Sequence, residues 1–424
     1  RGAVTVLGGP HARCYPEDAA QYFDYVLGFT DRAVLDEVLR ECAPHRPLGR
    51  RVGATKQPAQ LPGIRERWKF VEPTIAKAPD AVKFVPMIAS LGCPYTCSFC
   101  IDSVVDYQPL DHDQIQEDLR FLAKKMKRPR VGWHDPNFGV RFDETMGAIE
   151  AAGPPGTIEF VAESSLSLLS EPRLRRLKRN GCRAILPGIE SWYSLGNKSK
   201  TGRSAGLDKV NQVSDHVNTI LRYIPYVQTN FVLGLDDDAG PEPFELTKLF
   251  VDKTPGAFPA YSLLSAFGRA APLNLELQRA GRVVPTPFHF LDNNHAMNVR
   301  PRNYTWAELY DHVIDLRKHS FSWRALGRRF AANSDALSRS LNLVRAVSSE
   351  GFGRIRYDST VRRLLDTDVS VRRFFEGETG AIPSFYERQV RTALGPMWPA
   401  LPAGAMEHDP NAYLKAAAAS GGAP

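Results

Sequence analysis

Cysteine is scarce and unevenly placed. Cys14, Cys42 and Cys182 stand alone, and the other three of the six in 424 residues share one short run. Scattered single cysteines exclude a disulfide framework, which staples a small chain through paired positions. No apolar stretch reaches the roughly 20 residues that a membrane-spanning helix needs, and no signal peptide is visible. A strong excess of one charge is also missing: 54 Lys and Arg stand against 47 Asp and Glu, a net of +7. The basic run Arg173, Arg175, Arg176, Lys178 and Arg179 reads as a solvated helix face rather than a nucleic-acid contact. Hydrophobic residues at 43% and charged residues at 24% are ordinary for a globular chain. The length accommodates one large barrel plus smaller parts.

What is present is the run Ser90-Leu-Gly-Cys-Pro-Tyr-Thr-Cys-Ser-Phe-Cys100. It spaces Cys93, Cys97 and Cys100 as C-x3-C-x2-C, with no fourth cysteine nearby. A structural zinc site closes with four Cys or His ligands, and a four-iron cluster has four corners to fill. Three thiolates on one loop therefore suit a cluster with one iron left open. A zinc knuckle completed by a distant histidine, or three unligated thiols, are the alternatives.

Spacing and context resemble the radical S-adenosylmethionine (SAM) superfamily. The resemblance implies a [4Fe-4S] cluster on Cys93, Cys97 and Cys100, whose open iron chelates the amino and carboxylate groups of SAM. It implies reductive cleavage of SAM to a 5′-deoxyadenosyl radical, and it places Phe99 beside the adenine. An oxygen-sensitive cluster argues for the reducing cytoplasm.

The chain opens on Arg1, and Ala3-Val-Thr-Val-Leu-Gly-Gly-Pro-His11 reads as a buried strand running into a glycine turn. A second strand, Tyr25-Val-Leu-Gly28, and a helix from about Arg32 to Cys42 follow. This order resembles the closing part of the doubly wound, cobalamin-binding domain of B12-dependent radical SAM enzymes. Residues 1–43 are thus expected to be a remnant of that domain, with a simple strand–turn–helix cap as the alternative. Cobalamin is expected here only if an upstream domain supplies the cobalt-ligating histidine, since His11 lies at the wrong strand. Residues 44–80, rich in Pro, Gly and Arg, read as a linker.

From residue 81 to 290 strands and helices alternate. Strands are expected at 82–89, 130–134, 157–162, 182–189, 227–233 and 260–266, with helices between them. Such units imply parallel strands joined by right-handed crossovers. The fold class expected is α/β: a partial (β/α)6, TIM-like barrel of radical SAM type, with active residues at the carboxyl ends of its strands. A helical C-terminal domain is expected over 291–398, and a disordered tail over 399–424.

Polar residues fall where that barrel would use them. The resemblance implies that Asp135 meets the SAM amino group and that Glu163 binds its methionine or ribose. It matches Gly188-Ile-Glu190-Ser191 to the "G-I-E-S" of cobalamin-type members, and Asn230 and Gly234 to the residues at the ribose and adenine. Carboxylates and amides suit an ammonium and a diol chemically. The reaction implied is hydrogen abstraction from an unidentified substrate carbon, with C-methylation leading and ring formation or rearrangement next. A non-catalytic metal-binding subunit is the reading from another class. The partners implied are SAM, a small-molecule or biosynthetic-intermediate substrate, and an electron donor such as flavodoxin or ferredoxin.

Overall fold

The computed structural model describes residues 3–42, 48–54, 56–79, 83–193, 204–268, 270–291, 295–412 and 414. The chain begins with three parallel strands, β1 (Val6–Leu7), β2 (Tyr25–Leu27) and β3 (Arg50–Val52), in that order across the sheet. The helix Arg32–Glu41 is capped by Asp31, whose carboxylate accepts from the Val34 amide. It packs Val34 and Val38 against Tyr25 and Leu27.

The expected linker over 44–80 is corrected here. Arg50–Val52 completes the first sheet, held by ion pairs from Arg50 to Glu37 (2.7 Å) and to Glu41. Ile64–Lys77 is a helix despite Pro73 within it. Asp118 accepts from the Ile64 amide at 2.7 Å, and Trp68 sits edge-on to Phe121 at 5.4 Å. A proline removes one helix donor and disfavours the turn before it, which is why the pattern read as a linker.

The main sheet has six strands, all parallel. In chain order β4 is Val85–Met87, a short hairpin follows as β5 (Ser90–Leu91) and β6 (Gln108–Pro109), then β7 is Arg130–Trp133 and β8 Glu159–Ser165. β9 is Cys182–Glu190, β10 Tyr226–Leu233 and β11 Phe258–Leu263. The large sheet runs β4-β7-β8-β9-β10-β11, following the chain without reversal. That order is the open (β/α)6 barrel expected from the alternation.

Strand side chains alternate between faces. Phe160, Ala162, Val227, Thr229 and Phe231 are buried toward the helices, while Val161, Glu163, Gln228 and Asn230 face the half-open lumen.

The helical C-terminal region is not a separate core. One hydrophobic cluster runs through the barrel and on to Tyr386 and Val390. The helix Trp306–Ser320 starts with a capping box from Thr305 and Glu308 and lies against β11. There Tyr261 Oη meets Ser320 Oγ at 2.6 Å, and Arg329 donates to the Ala257 carbonyl at 2.9 Å. The tail also departs from expectation. Residues 395–400 form a 3-10 turn, His408 stacks on Phe288 at 4.1 Å, and Gln278 donates to the Pro410 carbonyl at 2.7 Å. Packing, not low complexity, governs 399–412, while 415–424 lie outside the described residues.

Candidate functional site: the cysteine loop and the barrel lumen

The three cysteines lie on the loop between β5 and β6, at the carboxyl end of β4. Gly92 turns the chain into this loop at φ 67°, and a Cβ there would stand 2.4 Å from the Asp106 carbonyl oxygen. Only glycine fits such a left-handed, crowded position. Cys93 is buried, Cys97 and Cys100 are half-buried, and the Cys100 amide donates to the Cys97 carbonyl at 3.0 Å.

The loop is fastened on several sides. Ser98 accepts from the Leu273 amide at 3.0 Å, beyond the far edge strand. Ile101 packs with Cys14, Tyr15 and Ala270, and Arg13 lies 3.7 Å from Asp102. Tyr95 reaches Ser167 at 3.3 Å, and Ser167 reaches Ser165 at 3.1 Å, on the rim of the lumen. Among the described residues no three His, Cys, Asp or Glu side chains converge as ligands to one metal ion would. Three thiols on one short loop are a donor set that a four-iron cluster takes, each on a different corner. Phe99 lies half-buried within that loop.

Asp135 is placed differently from the sequence reading. It is buried, and its carboxylate accepts from the Ala89 amide (3.0 and 3.1 Å) and from Ser90 Oγ (2.7 Å). A strand-end carboxylate saturated in this way sets the root of the cysteine loop rather than meeting a ligand. Burial pushes its pKa up to about 6 from 3.8. An acid raised in the folded state contributes stability that is present below its unfolded pKa and lost as pH rises through the folded one. Stability should thus fall between about pH 4 and pH 6, by roughly 3 kcal/mol from this group. Asp135→Asn should flatten that slope relative to wild type, and equal slopes in melting temperature against pH would refute the assignment.

A cavity of about 330 Å³ opens at the carboxyl ends of β8 to β11. Three of the residues singled out in the sequence, Glu163, Glu190 and Asn230, line it, together with Asn137, Ser165, Gln228 and Ser262, which were not singled out. Asn137 accepts from the Ser165 amide at 2.9 Å, so the turn after β7 is locked to the end of β8.

Glu190 adopts φ 67°, one of two non-glycine residues at positive φ among the described residues. The β9–β10 register slips beside it, where Asn230 pairs with Gly188 and Phe231 with Glu190. A bulge re-aims a side chain at a strand end, often beside a functional site. A Cβ on Gly188 would lie 2.2 Å from Glu190 Oε1, so the carboxylate folds back over bare backbone.

Lys209, from the helix Gly206–Leu221, is buried and donates to the Ser191 carbonyl at 2.6 Å. Burial lowers its pKa, and the Glu190 charge pulls it back up. No spacing in the sequence ties residue 209 to 190; the crossover brings them together.

Ser191 and Gly234 leave the expected set. Ser191 is buried, accepts from the Tyr193 amide at 3.2 Å and lies 3.4 Å from Asp238, so its hydroxyl serves the turn. Gly234 turns at φ 83° beneath Met297, whose Sδ would be 3.1 Å from a Cβ there. Neither lines the cavity. A larger cleft of about 640 Å³, with Lys125, Lys127 and Arg128, lies at the amino ends of the strands. Glu72 is the carboxylate among its described lining residues, and no cysteine lines it.

No family model matches the chain. It is 23% identical over 341 residues to bacteriochlorophyllide d C-12(1)-methyltransferase of Chlorobaculum tepidum, covering 78% of this chain and 71% of that protein. It is 26% identical over 257 residues to the C-8(2)-methyltransferase of the same organism, covering 56% and 52%. Both relatives are named as C-methyltransferases of bacteriochlorophyllide d.

Radical SAM structures similar to it include the cobalamin-dependent enzyme OxsB with aqua-cobalamin and SAM bound, at 13% identity and a TM-score of 0.39, covering 74% of this chain and 58% of OxsB. Another is the methyltransferase TsrM of Kitasatospora setae, at 15% identity and a TM-score of 0.38, covering 48% and 40%. The chain thus spans about half the length of the C-8(2)-methyltransferase and of these two structures. Among the described residues no helix is long and apolar enough to cross a membrane.

Proposed function

We propose that this chain is a radical SAM enzyme that abstracts hydrogen from a carbon of an organic substrate, with methylation of that carbon as the outcome. The reading is carried by one arrangement. A three-cysteine loop is tied through Tyr95, Ser167 and Ser165 to a lumen whose walls present Glu163, Glu190 and Asn230. Cys93, Cys97 and Cys100 would hold a [4Fe-4S] cluster, which when bound supplies the electron that cleaves SAM to a 5′-deoxyadenosyl radical.

The chain's own residues bind and orient. Glu163 and Glu190 offer acceptors to the ammonium and ribose hydroxyls of SAM, and Asn230 faces them from β10. Phe99, inside the loop, is the apolar neighbour for the adenine. Methyl transfer is favoured over ring formation because both curated relatives are C-methyltransferases. Cobalamin, where an upstream domain supplies its cobalt ligand, would meet this chain at the carboxyl ends of β1–β3. A cavity of about 360 Å³ lies there, lined by Gly28, Gly53 and Arg13, the last also pairing with Asp102 beside the cysteines. The electron would come from a small donor protein such as flavodoxin or ferredoxin, in the reducing cytoplasm.

The test is SAM turnover. Anaerobically reconstituted protein with dithionite should release 5′-deoxyadenosine, and a cluster-loaded protein that leaves SAM intact would defeat the proposal.

A further inference from the structure

Tyr226, Gln228 and Asn230 alternate along β10 on the lumen face, one above another. Arg345, from the helix Ala336–Val347, closes the floor beneath them. Its guanidinium lies 4.1 Å over the Phe258 ring, and its Nε is 2.9 Å from Glu350. Its Nη1 donates to Tyr226 Oη at 2.5 Å and to Gln228 Oε1 at 2.6 Å.

Guanidinium only donates. The Gln228 amide must therefore turn its oxygen down to Arg345 and its nitrogen up. That nitrogen donates to Asn230 Oδ1 at 2.6 Å. Asn230 is left with its own nitrogen toward the lumen rim, 3.5 and 3.4 Å from the Leu186 and Pro187 carbonyls, which only accept. A donor-only group at one end and acceptor-only groups at the other give both amides a single consistent direction.

We propose that Arg345, acting through Gln228, is a positioning residue that fixes Asn230 with its N–H2 facing the lumen, so that β10 donates a hydrogen bond to an oxygen of bound SAM. This rests on the SAM reading above. Facing the acceptor carboxylates of Glu163 and Glu190, it gives the cavity one donating and one accepting wall. A ligand is then held by the direction of its hydrogen bonds as well as by charge. The consequence reaches outside the barrel, since the residue that sets this direction belongs to the helical region.

Gln228→Glu tests the direction itself. A glutamate keeps an acceptor for Arg345 but presents a second oxygen to Asn230, which must then turn its nitrogen down and its oxygen toward the lumen. SAM titrated into reconstituted Gln228→Glu should bind about ten- to a hundredfold more weakly than to wild type, with iron content and melting temperature retained. Should that variant fail to fold, Arg345→Met, which frees Gln228 to turn, is expected to weaken SAM about threefold or more with the cluster kept. Unchanged SAM affinity in a folded variant, or a loss that merely tracks melting temperature and iron content, overturns the relay alone. A wild-type chain that binds no SAM overturns both this and the reading it rests on.

Discussion

Cys97→Ala should yield a folded protein that takes up no cluster. Wild-type chain reconstituted without oxygen is expected to carry about four irons with broad thiolate-to-iron absorption, and the variant neither. The fold should survive because the loop's shape does not depend on the metal. Its root is held by Asp135, its entry by the turn at Gly92, and its far side by the Leu273 amide on Ser98. The experiment therefore separates ligation from folding: iron falls to background while the far-ultraviolet spectrum stays. A wild-type protein that instead took one zinc tightly and no iron would end the radical SAM reading.

The next largest effect is expected at Glu190. Its left-handed backbone and the adjacent bulge sit where Glu190 enters the cavity, on the same strand face as Leu186 and Gly188. Glu190→Ala should leave the cluster intact and weaken SAM by about 1.5–3 kcal/mol, the range for a hydrogen bond to a charged group. Gly188→Ala should weaken it too while leaving every functional group in place, because the added methyl would occupy the space of Glu190 Oε1. Isothermal titration with SAM reads both. Affinity unchanged in Glu190→Ala and in Asn230→Ala would remove both residues from the site.

The barrel was legible because parallel strands buried on the helix side leave an unmistakable alternation with amphipathic helices. Each of the six expected strands overlaps an observed one. The helix Ile64–Lys77 was not legible, since local preference argued against it at Pro73 and tertiary contacts with Phe121 and Asp118 decided the matter.

The site was half legible. Cysteine spacing is covalent information and carries directly. Asp135, by contrast, reads the same whether its carboxylate points at a ligand or at the neighbouring strand end. Ser191 failed for a related reason, because its hydroxyl is absorbed by the turn after the bulge. Lys209 and Arg345 bond to the ends of β9 and β10 from helices that only the fold brings there, and no motif window contains them.

The tie between Ser98 and Leu273 bears on how the protein is made. Those residues are separated by the whole barrel, so a chain emerging from the ribosome has its three cysteines long before the group that fastens their loop. Contacts this distant form late, after the intervening strands have paired. Tyr15, bonded to the Ala266 carbonyl at 3.1 Å, adds a second latch of the same kind. On the proposed reading, the socket for a cluster would be complete only once both latches, from opposite ends of the barrel sequence, have closed on the loop and its neighbourhood.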